Sequence, residues 1–131
     1  QAPFNLFDHR LSSSGWLKRL KDNNIEVHVR SVFLQGLLLM SAEEIPEKFS
    51  PWFELLIKFH KWLQQNNVSA INACLSYPLS FPEIDRVVVG ADSVSQLKEI
   101  IAATQSTVHN DLPDLNCEDE KLINPANWSS L

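Results

Sequence analysis

The sequence predicts an α/β fold: three parallel strands with covering helices, forming part of a (β/α)8 TIM barrel. Two observations carry this. Strand-like segments recur at residues 1–7, from Ile25 onward and at Arg86 to Gly90, each separated from the next by helical patterning, and such alternation gives βαβ units with parallel strands and right-handed crossovers. The chain has 131 residues, whereas a complete barrel needs roughly 200 or more. Three strands of such a sheet leave two edges with unpaired backbone groups, so a missing half or self-association is expected.

The first segment, QAPFNLF, is short and apolar, and Pro3 argues against a central strand with a full ladder before Phe4. The serines 12–14 suit the cap of an amphipathic helix from Trp16 to Asn23 whose apolar positions are Trp16, Leu17 and Leu20. The central segment opens as an alternating strand, with Ile25, Val27, Val29, Ser31 and Phe33 on one face and Glu26, His28, Arg30 and Val32 on the other. Residues 34–50 form a long loop too rich in leucine to be a mere linker.

Ser50 and Pro51 read as N-cap and first position of a helix carrying Trp52, Leu55, Leu56, Phe59 and Leu63 on one face. A second helix is expected from Ser69, its cap, to Tyr77, with Pro78 as its stop. Arg86 to Gly90 is a continuous β-branched run, as in a parallel strand buried on both faces. A helix over Val94 to Ala103 follows. Beyond Thr104 the chain turns acidic, and residues 104–131 are read as an ordered tail with one short helix anchored by Trp128, behind a barrel portion at 1–103.

Composition excludes several classes. Hydrophobic residues at 44% and charged residues at 21% permit a real core. The net charge of −5 offers no basic field for nucleic acid or an anionic membrane. The longest apolar run, Val32 to Met40, falls far short of the roughly 20 residues of a membrane span. Cys74 and Cys117 show no metal or disulfide spacing, which reads as a reducing, cytoplasmic compartment, with Cys74 as a buried thiol. No signal peptide is present, and a strand-like first segment without an initiator Met reads as cut from something longer.

Three stretches, QAPFNLFDHRL, IEVHVRSVFLQGLLL and IDRVVVGADSVSQLKEI, resemble in order and spacing the last three βα units of the aldo/keto reductases, over Gln1 to about Ala103. The resemblance implies strands six to eight of a barrel that reduces small-molecule carbonyls with a nicotinamide cofactor, usually NADPH and alternatively NADH, bound at the C-terminal strand ends. It also implies that the catalytic Asp, Tyr, Lys and His belong to earlier strands, so His9, His28, His60 and His109 are not promoted to those roles.

By position, Gln1 matches the glutamine that bonds the nicotinamide carboxamide, although a terminal residue without a role is an equal reading. Arg30 stands where the family commonly has an aromatic residue stacked on nicotinamide. A guanidinium can also lie flat on a ring, or Arg30 pairs with a carboxylate near the barrel mouth. With Ser31 it ends the central strand.

Phe33, Gln35 and Gly36 open the loop that the family lays along the pyrophosphate, where glycine permits close backbone approach; packing alone is the competing reading. Gly90, Ala91, Ser93, Gln96 and Glu99 follow the last strand. Ser93 and Gln96 form an SxxQ capping box, and the resemblance turns this helix start toward phosphate and adenine. The family often has an asparagine where Ile100 stands, so the resemblance does not carry that adenine contact over to this chain. A non-catalytic half-barrel, working as a nucleotide-binding or assembly module, is the alternative from another class.

Overall fold

A computed structural model of the chain describes residues 1–106, 108 and 111–131. His109 lies outside them. The strands are β1 (Ala2–Pro3), β2 (His28–Arg30) and β3 (Arg86–Val87), all parallel, in the order β1-β2-β3. Ala2 pairs with Val29 and Pro3 with Arg30, while His28 pairs with Arg86 and Val29 with Val87. Helices α1 (Arg10–Ser13) and α2 (Trp16–Asp22) connect β1 to β2. Helices α3 (Phe53–Asn66) and α4 (Ala70–Leu79) lie between β2 and β3, followed by α5 (Val94–Ala103) and α6 (Glu120–Ile123). This is an α/β arrangement of three parallel strands with helices, as in part of a (β/α)8 barrel.

The central strand is shorter than its alternation suggests. Ile25 donates its N–H to Leu20 O at 3.0 Å and Asn24, at φ +56°, donates to Lys21 O at 2.9 Å, so both residues close α2 instead of joining the sheet. Pairing begins once Val27 and Val29 turn inward; both are buried, while Glu26 and Arg30 are exposed on the uncovered face. At its far end Ser31 leaves the strand at φ +60°.

Arg86 to Gly90 is not buried on both faces. Val87 and Val89 are half-buried, whereas Val88 is 42% exposed. β3 ends the sheet, and among the described residues nothing covers its Val88 side, so a run of identical β-branched residues experiences two different environments.

Helix boundaries also depart from the punctuation in the sequence. Ser50 and Pro51 sit inside a 3₁₀ turn, Glu47–Trp52, that precedes α3, because Phe49 is drawn into the core. α4 runs through Pro78 to Leu79 instead of stopping at Tyr77. Cys74, Leu75 and Pro78 are buried, and that packing offsets the missing proline N–H. α2 starts at Gly15, φ +78°, without a side-chain cap; Ser12 and Ser13 belong to α1, where the Ser12 hydroxyl donates to His9 O at 2.9 Å. Trp16 is exposed, with the Arg19 guanidinium over its ring.

The leucine-rich loop is a set of 3₁₀ turns, Leu37–Leu39, Ala42–Glu44 and Glu47–Trp52, in which Leu34, Leu37 and Leu38 are wholly buried. The second turn carries an SxxE capping box that the sequence displays at Ser41 and Glu44.

Core residues come from every part of the chain: Phe4 and Phe7 after β1, Leu34 to Leu38, Leu56 and Phe59 of α3, and Leu115 and Leu122 near the C-terminus. Phe7 meets Phe59 edge to face at 6.1 Å. The acidic C-terminal segment is a strap on α3. Trp62 Nε1 donates to Asp111 O at 2.8 Å, Lys58 Nζ to Asp114 O at 2.7 Å, and the Cys117 N–H to Phe7 O at 2.8 Å. Trp128 donates to Leu122 O and sets its ring against Phe49 at 4.8 Å. No helix among the described residues is long and apolar enough to cross a membrane.

Candidate functional site

Parallel strands leave their C-terminal ends free for loops that carry function, and here those ends open into a cleft of about 530 Å³. Its first wall is the exit of β2. Ser31 turns out at positive φ, Leu34 N–H closes on Ser31 O at 2.9 Å, and Gly36 N–H closes on Phe33 O at 3.0 Å. Leu34, Gln35 and Gly36 also lie at positive φ, an uncommon run for non-glycine residues. Buried Val32 and Leu34 anchor this turn and leave its polar groups at the surface. A Cβ placed on Gly36 or Gly90 meets nothing within 4 Å, so both face open space.

The second wall is the turn from β3 into α5. Ser93 caps the helix by accepting the Gln96 N–H at 3.1 Å. The predicted box closes differently from its usual form: Gln96 Oε1 accepts the N–H of Asp92, at 2.7 Å, rather than that of Ser93. The amide oxygen of Gln96 is thereby occupied, which leaves its NH₂ group as the donor available to a ligand.

Of the residues singled out in the sequence, the cleft brings together Arg30, Ser31, Phe33, Gln35, Gly36, Gly90 and Gln96. A neighbouring hollow of about 450 Å³ is lined by Ser93, Gln96 and Glu99. Leu39 and Gln96 border both, so the two are adjacent. Gln1 and Ala91 line neither. Gln1 precedes β1, whereas the cleft opens beyond the strand ends. Ile100 is buried in the core and turned away from the hollow.

Lining residues not chosen as site residues from the sequence include Asp92, Val88, Leu39 and Ser95. Asp92 and Ser95 stand within the turn and helix start already noted, which was their only signal. Leu39 and Val88 belong to apolar runs in which nothing marks the member that faces solvent.

The electrostatics are mixed. Arg30 supplies the cation, its Nη1 donating to Ser31 Oγ at 3.3 Å, and Asp92 and Glu99 supply carboxylates; no lysine lines either hollow among the described residues. Such a surface offers hydroxyl, amide and guanidinium donors to an anionic ligand without a strongly positive field. No group of three His, Cys, Asp or Glu side chains among the described residues could hold a metal.

Fold and site together define a parallel α/β domain whose candidate ligand surface is built from loops at the C-terminal strand ends. The model of the Aldo/keto reductase family matches residues 1–112, and the chain belongs to that family. Its members are oxidoreductases that generally use nicotinamide cofactors. No curated protein sequence gives a match.

Proposed function

We propose that this chain is the C-terminal, cofactor-binding part of an NAD(P)H-dependent aldo/keto reductase acting on a small-molecule carbonyl. The observation that carries the proposal is one cleft lined by both the Ser31 to Gly36 turn and Gln96 at the start of α5, beside the hollow lined by Ser93 and Glu99. The donors present fit a dinucleotide. Gln35, Ser31 and the open backbone at Gly36 suit a pyrophosphate, Ser93 and Gln96 suit the adenosine end, and Arg30 suits the face of a nicotinamide ring. Glu99 and Gly90 complete the adenosine side of this reading; Gln1 and Ala91, which line neither hollow, are proposed as cofactor contacts on the family resemblance alone.

When bound, the cofactor supplies hydride to a carbonyl carbon. The residues of this chain bind and orient it. The proton donor to the carbonyl oxygen is assigned to another part of the enzyme, because the one tyrosine here, Tyr77, packs its ring against Phe4 and His9 and does not line the cleft. Its hydroxyl is pushed up to about 12 by burial, which unsuits it to proton transfer near neutral pH. NADPH is the proposed cofactor on family grounds, with NADH as the alternative.

A second reading, a non-catalytic half-barrel that assembles with another half or another copy, is favoured by the sheet edge. β3 has an unpaired side among the described residues, and Val94, Leu97 and Ile101 form an exposed apolar stripe on α5. Fluorescence titration with NADPH tests the binding claim shared by both readings. A saturable signal supports it, and its absence at millimolar cofactor sinks it for this chain. Steady carbonyl reduction by the pure chain would defeat the assignment of the chemistry elsewhere.

A further inference from the structure

The backbone ladder between β1 and β2 ends at Arg30, where the cleft begins. Phe4 N–H donates to Arg30 O at 3.1 Å, the last main-chain bond of that pair. The next residue, Ser31, leaves the strand at φ +60°, so its carbonyl cannot be met by the backbone of β1. A side chain meets it instead. Asn5 Nδ2 donates to Ser31 O at 3.1 Å, and Asn5 is wholly buried.

The other end of the same amide is equally committed. Asn5 Oδ1 accepts the N–H groups of Phe7 at 2.9 Å and Asp8 at 3.0 Å, which fixes the carboxamide plane and with it the direction of Nδ2. Ser31 O also receives the Leu34 N–H, so one carbonyl joins the anchor from β1 to the first turn of the cleft wall. Without Asn5, the Ser31 carbonyl keeps only the Leu34 N–H, in a left-handed conformation that L-residues disfavour.

We infer that Asn5 is the positioning residue of this site: it touches no ligand, and it holds Ser31 and the turn through Gly36 in the shape that the ligand meets. The turn contributes Arg30's neighbour Ser31, Phe33, Gln35 and Gly36 to the cleft, so its looseness would reach the ligand directly. The effect on cofactor binding rests on the function proposed above; the effect on the turn does not.

The test uses the chain with Asn5→Ser, which retains a short acceptor for the local turn but cannot reach Ser31 O, and with Asn5→Asp, which retains the shape and replaces the donor by an acceptor. Either variant that folds, judged by its far-UV spectrum and melting, gives the readout. Amide hydrogen exchange at Leu34 and Gly36 is expected to quicken by about tenfold, while Leu56 and Phe59 in α3 change by less than about twofold. NADPH is expected to bind about tenfold more weakly to the variants than to the parent.

Loop protection equal to that of the parent, or acceleration by one common factor in the loop and α3, overturns the inference. A parent and variant that show the expected exchange pattern while the parent fails to bind NADPH uphold the inference and remove the proposed cofactor function instead.

Discussion

The Asp85 carboxylate accepts the Val27 N–H at 2.8 Å and so joins β3 to β2 at the end of the sheet opposite the cleft. Its other oxygen takes Lys21 Nζ at 2.8 Å, which ties the end of α2 to the same point. Hydrogen bonding from Lys21, then from the Val27 amide, holds the Asp85 pKa below its ordinary value. A depressed carboxyl contributes stability that is present above the unfolded pKa, about 3.9, and is lost as pH falls through the folded value. The parent chain should therefore weaken below about pH 4, and Asp85→Asn should be less stable at pH 7 while losing less on acidification. Urea unfolding at pH 7 and in the acid range checks this; equal acid slopes in the two proteins would refute it.

Asp8 is wholly buried and held by Arg10, with Nε to Oδ1 and Nη2 to Oδ2 both at 2.9 Å. Arg10→Leu leaves that carboxylate with little compensation and should cost about 1–3 kcal/mol in unfolding free energy. Glu120, the second partner of Arg10, is exposed, and Glu120→Gln should cost no more than about 0.5 kcal/mol. Chemical denaturation of the two variants side by side distinguishes them; similar losses would show that burial of Asp8 is not the deciding factor.

Gly36 lies at φ +86° with open space where a side chain would be. The cost of Gly36→Ala is therefore conformational and should be about 1 kcal/mol. Unfolding measured by urea sets that figure. A loss several times larger would mean that the methyl group clashes.

The two thiols should report the core. Cys74 is fully buried and its pKa is raised far by burial, while Cys117 is partly exposed and raised by burial to a lesser degree. An aromatic disulfide reagent at pH 8 should titrate Cys117 slowly in the folded chain and both thiols rapidly in urea. Prompt modification of Cys74 without denaturant would contradict its place in the core.

Much of the architecture was legible in residues 1–103 because it depends on short-range pattern. Alternation around Val27 and Val29, the face of α3, and the Ser93 cap each depend on neighbours within a turn or two. The candidate site was legible for a related reason. Turn chemistry at Ser31 to Gly36 and at Gly90 to Gln96 marks loop positions, and parallel strands put such loops at one end of the sheet.

Sequence alone thus determined the α/β class, the parallel order implied by its βα units, and two loops with donors suited to an anion. Tertiary structure alone decided what those elements meet. Val88 is exposed beside two half-buried valines because β3 ends the sheet; α4 continues through Pro78 because its neighbours bury it; the acidic segment from Asp111 becomes a strap because Trp62 and Lys58 of α3 hold its carbonyls. Asn5, an amide within the apolar run FNLF, shows the difference most sharply. Its type signalled that burial would require partners, but only the packing of β1 against β2 chose the Ser31 carbonyl, since a hydrogen bond between residues distant in sequence is set by the fold that brings them together.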